Sequence, residues 1–170
     1  INWEYTVSSN QYGNALERIL DVDADLVVID NLLLVTGHFG KMTLLDILAG
    51  KPVWQSQYNS LKAAAVDNEQ QIMYIVDLDG SLIAYDTRTD TQLWRDSYLQ
   101  YRQPTAMLLV NDKLVLSDYE GYLHVVDPRD GTPMARYQVA DSAIKSTPML
   151  LGKYLIVQTQ NAKVAALEIF

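Results

Sequence analysis

One seven-residue pattern occurs three times in this chain, about forty residues apart. Each copy starts with glycine, ends with aspartate and is mostly apolar between them, and a degenerate fourth copy spans residues 162–168. The first positions of the four copies are 40, 41 and 41 residues apart. A period of this length, with short alternating strands in each unit, is typical of a β-propeller blade of four antiparallel strands. The glycines are Gly40, Gly80 and Gly121, and the aspartates are Asp46, Asp86 and Asp127.

The repeated acids and two tryptophans have simple structural interpretations. A carboxylate cluster for metal or acid–base chemistry is one alternative for the acids, but their spacing places one in each blade, beside a turn. Hydrogen bonds to the turn backbone explain them better. Trp54 and Trp94 each follow an aspartate by eight residues, and Ala135 is at the third such position. We expect the indole rings to cover the gap between neighbouring blades rather than to hold a cofactor.

Turn residues divide the chain into blades. Aspartate, asparagine and glycine recur between short alternating segments, as expected for hairpin turns. The pattern predicts complete blades at 23–57, 61–97 and 103–139, and a blade at 144–170 that lacks its outer strand. Residues 1–7 are predicted to be the outer strand of a preceding blade, because Trp3 has the sequence surroundings of the other two tryptophans. Little helix is expected.

The predicted ends leave two arrangements open. The strand at Trp3 could close the last blade into a four-bladed ring. Alternatively, both ends are strand edges that pair with another chain, since unpaired edges invite pairing. A head-to-tail homodimer of such halves would complete an eight-bladed ring. We favour the second arrangement, and expect a piece of a longer or processed protein because the first residue is Ile1 rather than methionine.

Composition excludes several classes of function. With 13 basic and 21 acidic residues the formal net charge is −8, so a nucleic-acid backbone would repel the chain. No run of eighteen apolar residues is present that could form a transmembrane helix. The absence of cysteine excludes disulfides, thiolate metal sites and cysteine nucleophiles. His38 and His124 lie in different repeats without a nearby cysteine or second histidine that would suggest zinc, and no catalytic motif occurs. We therefore expect no enzyme, no metal and no cofactor.

The connections between blades are the remaining candidates for function. The longest, at 8–22, leads into charged residues, and a second, at 96–103, carries Tyr98, Leu99, Tyr101 and Arg102. Charged and aromatic residues on exposed loops of a rigid scaffold are typical of a protein-binding surface. A solvated loop held by a few apolar side chains is the alternative.

The repeat resembles that of quinoproteins, whose pattern is Gly-x-Leu-x-Ala-x-Asp-x-x-Thr-Gly-x-x-x-Trp. The second copy keeps Gly80, Leu82, Ala84, Asp86 and Trp94 of this pattern. More narrowly, Arg18-Ile-Leu-Asp21-Val-Asp23 and the segments 93–102 and 117–124 are similar to the BamB family of outer-membrane β-barrel assembly lipoproteins. The likeness covers the whole chain and corresponds to the C-terminal half of that family's eight-bladed propeller.

The resemblance implies a function without catalysis. Members of the BamB family lie at the periplasmic face of the outer membrane, held by an N-terminal lipid that would be upstream of this chain. They bind the POTRA domains of BamA, the central barrel subunit. The family's Asp-Val-Asp contact loop falls on Asp21 and Asp23, and the preceding arginine falls on Arg18. Tyr98, Leu99 and Arg102 are hypothetical neighbours in that contact.

The resemblance leaves some points open. The family's other contact segment, a Leu-x-Leu-Arg sequence in an earlier blade, has no counterpart here. This chain therefore carries only one of the family's two contact segments. Another periplasmic interaction propeller with a different partner is the alternative function, and a fragment of a PQQ-dependent dehydrogenase is a more distant one.

Overall fold

The structure is a computed structural model that describes residues 2–6, 26–29, 31–35, 42–56, 64–77, 79–89 and 91–168. The chain forms two compact units, residues 1–63 and residues 64–170. Within the described ranges all regular structure is β-strand, as the repeat predicts, and nothing there is a helix long and apolar enough to cross a membrane.

The first unit contains one antiparallel sheet of four strands, paired in chain order. Its β2–β3 register places Leu33 opposite Leu45 and Leu34 opposite Leu44, which aligns the apolar positions of the two middle strands. The strands are β1 (Val27–Ile29), β2 (Leu32–Val35), β3 (Thr43–Asp46) and β4 (Lys51–Gln55).

The second unit contains three sheets, each again paired in chain order. The sheets lie inside the blade ranges that the sequence predicts, and the limits of those blades stay predictions. The second sheet has β5 (Ala65–Asp67), β6 (Ile72–Val76), β7 (Leu82–Asp86) and β8 (Thr91–Asp96). The third has β9 (Pro104–Val110), β10 (Lys113–Asp118), β11 (Tyr122–Val126) and β12 (Pro133–Gln138). The last has β13 (Met149–Leu151), β14 (Tyr154–Gln158) and β15 (Val164–Glu168).

The third sheet is buried on both faces, and β10 shows how its sequence achieves this. Leu114 and Leu116 belong to one core cluster, which also contains Tyr74 of the second sheet. Val115, between them, belongs to another cluster, which contains Leu155 of the last sheet. Side chains in a strand alternate between faces, so a continuous apolar run serves two cores at once. Burial of each such side chain contributes about 1.5–3 kcal/mol.

The outer strands are exposed where the middle strands are buried. All six residues of β12 are exposed, whereas five of the six residues of β10 are buried. This gradient is what a blade requires, because only its inner and middle strands pack between neighbouring sheets. It explains why the fourth strand of each repeat is the least apolar.

The repeated aspartates bond the turns that follow them. Asp46 Oδ1 accepts the backbone N–H groups of residues 48 and 49, at 2.9 and 2.7 Å. In the next repeat Asp86 Oδ1 accepts the N–H groups of Arg88 and Thr89 in the same way, and the bond from the Thr89 N–H helps to hold the pKa of Asp86 below its usual value. In the third repeat the Arg129 guanidinium and N–H lower the pKa of Asp127 to about 2. Each carboxylate therefore serves its own turn.

Tryptophan packs on the turn after the aspartate in both units. In the second unit Trp94 Nε1 donates to Pro128 O at 3.0 Å, and the indole lies over Gly131. A Cβ on Gly131 would be 2.8 Å from that ring, and its φ of +81° also favours glycine. In the first unit Trp3 Nε1 donates to Ile47 O at 2.7 Å, and the indole contacts Gly50. Both bonds reach the residue directly after the repeat aspartate.

The remaining predicted features are present in the structure, differ from it, or lie outside the described residues. Residues 2–6 form no strand, although Trp3 is held as Trp94 is. Trp54 is half-buried on β4. Gly40 and His38 lie outside the described residues, whereas Gly80 and Gly121 have φ of +84° and +85° in the turns before β7 and β11.

Candidate partner-binding surface

Three of the six predicted contact residues lie outside the described part of the chain. These are Arg18, Asp21 and Asp23. Their role in binding therefore stays a prediction, based on the sequence alone. The other three lie on the loop at 97–103 that joins β8 to β9, in the second unit.

The loop at 97–103 is held by its own backbone and by one apolar side chain. Asp96 Oδ1 accepts the Tyr98 N–H at 2.7 Å, and the Arg102 N–H donates to Leu99 O at 2.9 Å. Leu99 is 2% exposed and belongs to the core cluster between the second and third sheets. Its buried side chain anchors the loop in this core, and its predicted place in a partner contact stays a prediction. Tyr98 is 43% exposed and faces outward.

Arg102 is turned toward the protein. Its Nε and Nη2 donate to Asp118 Oδ2 at 3.0 and 2.8 Å, and Nη1 lies 2.8 Å from Glu120 Oε2. The guanidinium also stacks over the Tyr122 ring, 4.9 Å from its centroid. A guanidinium with this many charge-assisted contacts fixes the loop on the third sheet. Arg102 thus acts first as a structural clamp.

Asp118, at the end of β10, is the centre of this clamp. Its carboxylate is fully buried and also accepts the N–H groups of Glu120 and Tyr122 at 2.9 and 2.8 Å. Burial alone would raise the pKa of Asp118, but hydrogen bonds from His124, the Tyr122 N–H and Arg102 lower it overall. The carboxylate is thus stabilised in its charged form inside the sheet.

His124 completes the group from β11. It is 1% exposed, and its Nε2 lies 2.8 Å from Asp118 Oδ2, so this nitrogen donates to the carboxylate. Within the described residues its Nδ1 is buried without a hydrogen-bond partner. The ring packs against Tyr98 and Tyr122, at centroid distances of 5.8 and 6.2 Å. His124 therefore links the buried carboxylate to the exposed loop.

Sequence reasoning placed His124 on a strand but did not single out Asp118. The signal was present in the hairpin register. Leu116 pairs with His124 across β10 and β11, so Asp118, two residues further along β10, is on the same face and diagonal to the imidazole. An aspartate and a histidine on either side of a Glu-Gly turn were the available clue.

The charged groups at the base of the loop at 97–103 are engaged within the protein. Among the residues that the structure describes, no group of three or more His, Cys, Asp or Glu side chains is placed to hold a metal ion. The buried Asp118 and His124 are committed to Arg102 and to the turn. What faces outward is the loop that they hold.

Comparison with known proteins decides the family. The family model described as "Outer membrane protein assembly factor BamB" matches residues 27–169. The chain belongs to the BamB family. The BamB of Kangiella koreensis is 31% identical over 166 residues, and that of Moranella endobia is 32% identical over 167 residues. Each match covers 98% of this chain and 42% of the relative, so the chain spans about two-fifths of the length of these curated relatives.

Solved structures agree on the fold. The crystal structure of BamB from Moraxella catarrhalis matches with a TM-score of 0.83 at 19% identity, over 98% of this chain and 49% of that one. The computationally designed Ika4 protein matches with a TM-score of 0.74 at 15% identity, over all of its length. The predicted all-β propeller class, with this chain as about half of a BamB propeller, is confirmed.

Proposed function

We propose that this chain belongs to a non-enzymatic scaffold of the outer membrane β-barrel assembly machinery and binds POTRA domains of BamA at the periplasmic face of the outer membrane. The BamB family match over residues 27–169 is the observation that carries the proposal. The names of the curated relatives as outer membrane protein assembly factors support it. In the parent protein, anchoring would come from an upstream lipid.

The contact begins with Asp21 and Asp23. Their carboxylates accept charge-assisted hydrogen bonds from a basic patch on a POTRA domain, each contributing about 1.5–3 kcal/mol where water is excluded. The formal net charge of −8 favours approach of a basic partner and makes association sensitive to salt. Arg18 is part of the same contact, and Tyr98, exposed on the loop at 97–103, is a candidate contact of the second unit.

A titration of isolated POTRA domains with charge-reversed protein tests the site. Asp21→Arg with Asp23→Arg should weaken binding at least tenfold, since each lost charged contact amounts to about 1.4 kcal/mol or more. The matched control is Glu69→Arg with Asp112→Arg, an equal charge change in the exposed turns before β6 and β10. Equal affinities for the two double variants would refute the assignment of Asp21 and Asp23.

We also propose that this chain pairs head to tail with a second copy. One face of the last sheet packs on the third sheet, and its other face carries exposed apolar side chains, among them Leu151 at 65% and Val164 at 65%. The expected mass in sedimentation is that of two chains, and Leu151→Asp with Val164→Asp should halve it. A single-chain mass for the unaltered protein would contradict the pairing.

A further inference from the structure

We propose that the second unit carries a partner-binding surface of its own, built from outward tyrosines and carboxylates, that takes a basic segment of the protein partner. We call it the tyrosine surface. The inference rests on the proposed function, because it supplies further contacts for the same partner. The residues of the tyrosine surface are Tyr98, Tyr101, Tyr119, Asp79 and Glu120.

The topology brings these residues to one end of the sheets. In an antiparallel meander the turn between the second and third strands emerges at the same end as the connection to the next sheet. The β6–β7 turn, the β10–β11 turn and the loop at 97–103 therefore share one end of the second unit, as does the segment at 139–145 between β12 and β13.

Direct contacts join these segments into one surface. The loop at 97–103 meets the β6–β7 turn where Gln100 O lies so close to Gly80 that a Cβ there would be at 2.7 Å. It meets the β10–β11 turn through the Arg102 bonds to Asp118 and Glu120. In the β10–β11 turn, Gly121 O accepts a hydrogen bond from the Val139 N–H at 2.9 Å. The loop is thus fixed on both sides.

The tyrosines face solvent although the surrounding backbone is fixed. Tyr98, Tyr101 and Tyr119 are 43%, 89% and 51% exposed. In the same loop Leu99 is buried, so the apolar side chain points inward while both tyrosines point outward. Tyrosine offers a large contact area at a low cost in side-chain entropy and is enriched at protein interfaces. A rigid loop that presents such side chains is organised for a partner before binding.

The charges of the surface define the partner. Each of two arginines is held by two carboxylates: Arg95 lies 3.0 Å from Asp77 and 2.7 Å from Asp79, and Arg102 is bound by Asp118 and Glu120. Counted over these side chains each cluster has one excess negative charge, and Arg136, 4.8 Å from the Tyr122 ring centroid, lies beside the second cluster. In the second cluster the outer carboxylate is the more accessible group, since the Glu120 side chain is 59% exposed and that of Arg102 is 23% exposed.

A basic segment fits both parts of this surface. Its ammonium or guanidinium groups would meet the outward carboxylates, and the tyrosine rings would accept cations on their faces. The chain already shows the second contact, because Lys145 Nζ lies 5.8 Å from the Tyr119 ring centroid. A lysine or arginine of the partner would repeat that geometry on Tyr101.

The test is isothermal titration calorimetry, in which isolated POTRA domains are titrated into the double variant Tyr101→Ala with Tyr119→Ala. We expect Kd to rise about tenfold, as for the loss of well-packed interface aromatics, with the thermal unfolding temperature little changed. The control is Tyr137→Ala, which changes an exposed tyrosine of β12 outside this surface and should leave Kd within about twofold. Binding of the unaltered chain should also weaken as salt is raised.

The outcomes separate the two proposals. If the unaltered chain binds and the tyrosine double variant binds equally well, the tyrosine surface is refuted and the proposed function stands. Equal losses of affinity in the double variant and in Tyr137→Ala would also refute the tyrosine surface. If the unaltered chain does not bind, alone or within a protein of the relatives' length, the proposed function fails and this inference fails with it.

Discussion

Replacing Asp118 with alanine should be among the most destabilising single changes in the second unit. The carboxylate is fully buried and accepts hydrogen bonds from Arg102, His124 and two backbone N–H groups. Its removal leaves His124 Nε2, the Arg102 Nε–H and those two N–H groups without the acceptor that the carboxylate supplied. Each unsatisfied buried group costs about 1–3 kcal/mol, and breaking a buried pair costs about 3–5 kcal/mol. We expect the free energy of unfolding to fall by about 3–5 kcal/mol.

Asp77 provides a matched comparison, because it occupies the same place before the β6–β7 turn. Its side chain is 18% exposed, and its partner Arg95 also binds Asp79 at 2.7 Å. When Asp77 is replaced by alanine, Arg95 keeps a carboxylate, so the expected loss is about 1 kcal/mol. Urea denaturation followed by circular dichroism measures both variants. A loss for Asp118→Ala no larger than that for Asp77→Ala would refute the account of the buried clamp.

The remaining predictions concern packing and pH. Gly131→Ala should lower the unfolding free energy by about 2–4 kcal/mol, because the new methyl group would clash with Trp94 and because the positive φ at this position is unfavourable for alanine. Gly152 has a similar positive φ, but a Cβ there would meet nothing within 4 Å, so Gly152→Ala should lower the unfolding free energy by only about 1 kcal/mol. Equal losses for the two variants in denaturant titrations would contradict the tryptophan contact. Burial raises the pKa of Tyr74 to about 12, so the folded state keeps a proton that the unfolded state loses near pH 10. Stability should therefore fall between about pH 10 and 12, by up to about 3 kcal/mol, and Tyr74→Phe should remove that dependence. If Tyr74→Phe loses stability between pH 10 and 12 as the unaltered protein does, the assignment of this pH dependence to Tyr74 is refuted.

The parts of the fold that the sequence predicted are those that depend on local periodicity. The run at Leu114, Val115 and Leu116 identifies a strand buried on both faces, because its side chains alternate. The degenerate fourth copy of the pattern spans residues 162–168, whereas the strand within it is Val164–Glu168. Such differences arise at strand ends, where side-chain pattern does not report the last backbone bond.

The candidate site was less predictable because its contacts depend on register and burial. Leu99 looked like a surface residue, since a loop has no period that marks one side chain as buried. Arg102 and Asp118 are sixteen residues apart, and nothing in their local sequence pairs them. Only the packing of the loop at 97–103 on the β10–β11 turn brings them together. The same packing brings the outward tyrosines of the loop and of the turn to one end of the sheets.

The affinity of the unaltered chain for isolated POTRA domains tests the central claim most directly. An assembly scaffold of the BamB family should give saturable binding that weakens as salt rises, with no change in quinone absorbance when PQQ and calcium are added to the protein. Absence of binding by the chain and by a protein of the relatives' length, or a quinone spectrum that shifts on mixing, would contradict the proposed function.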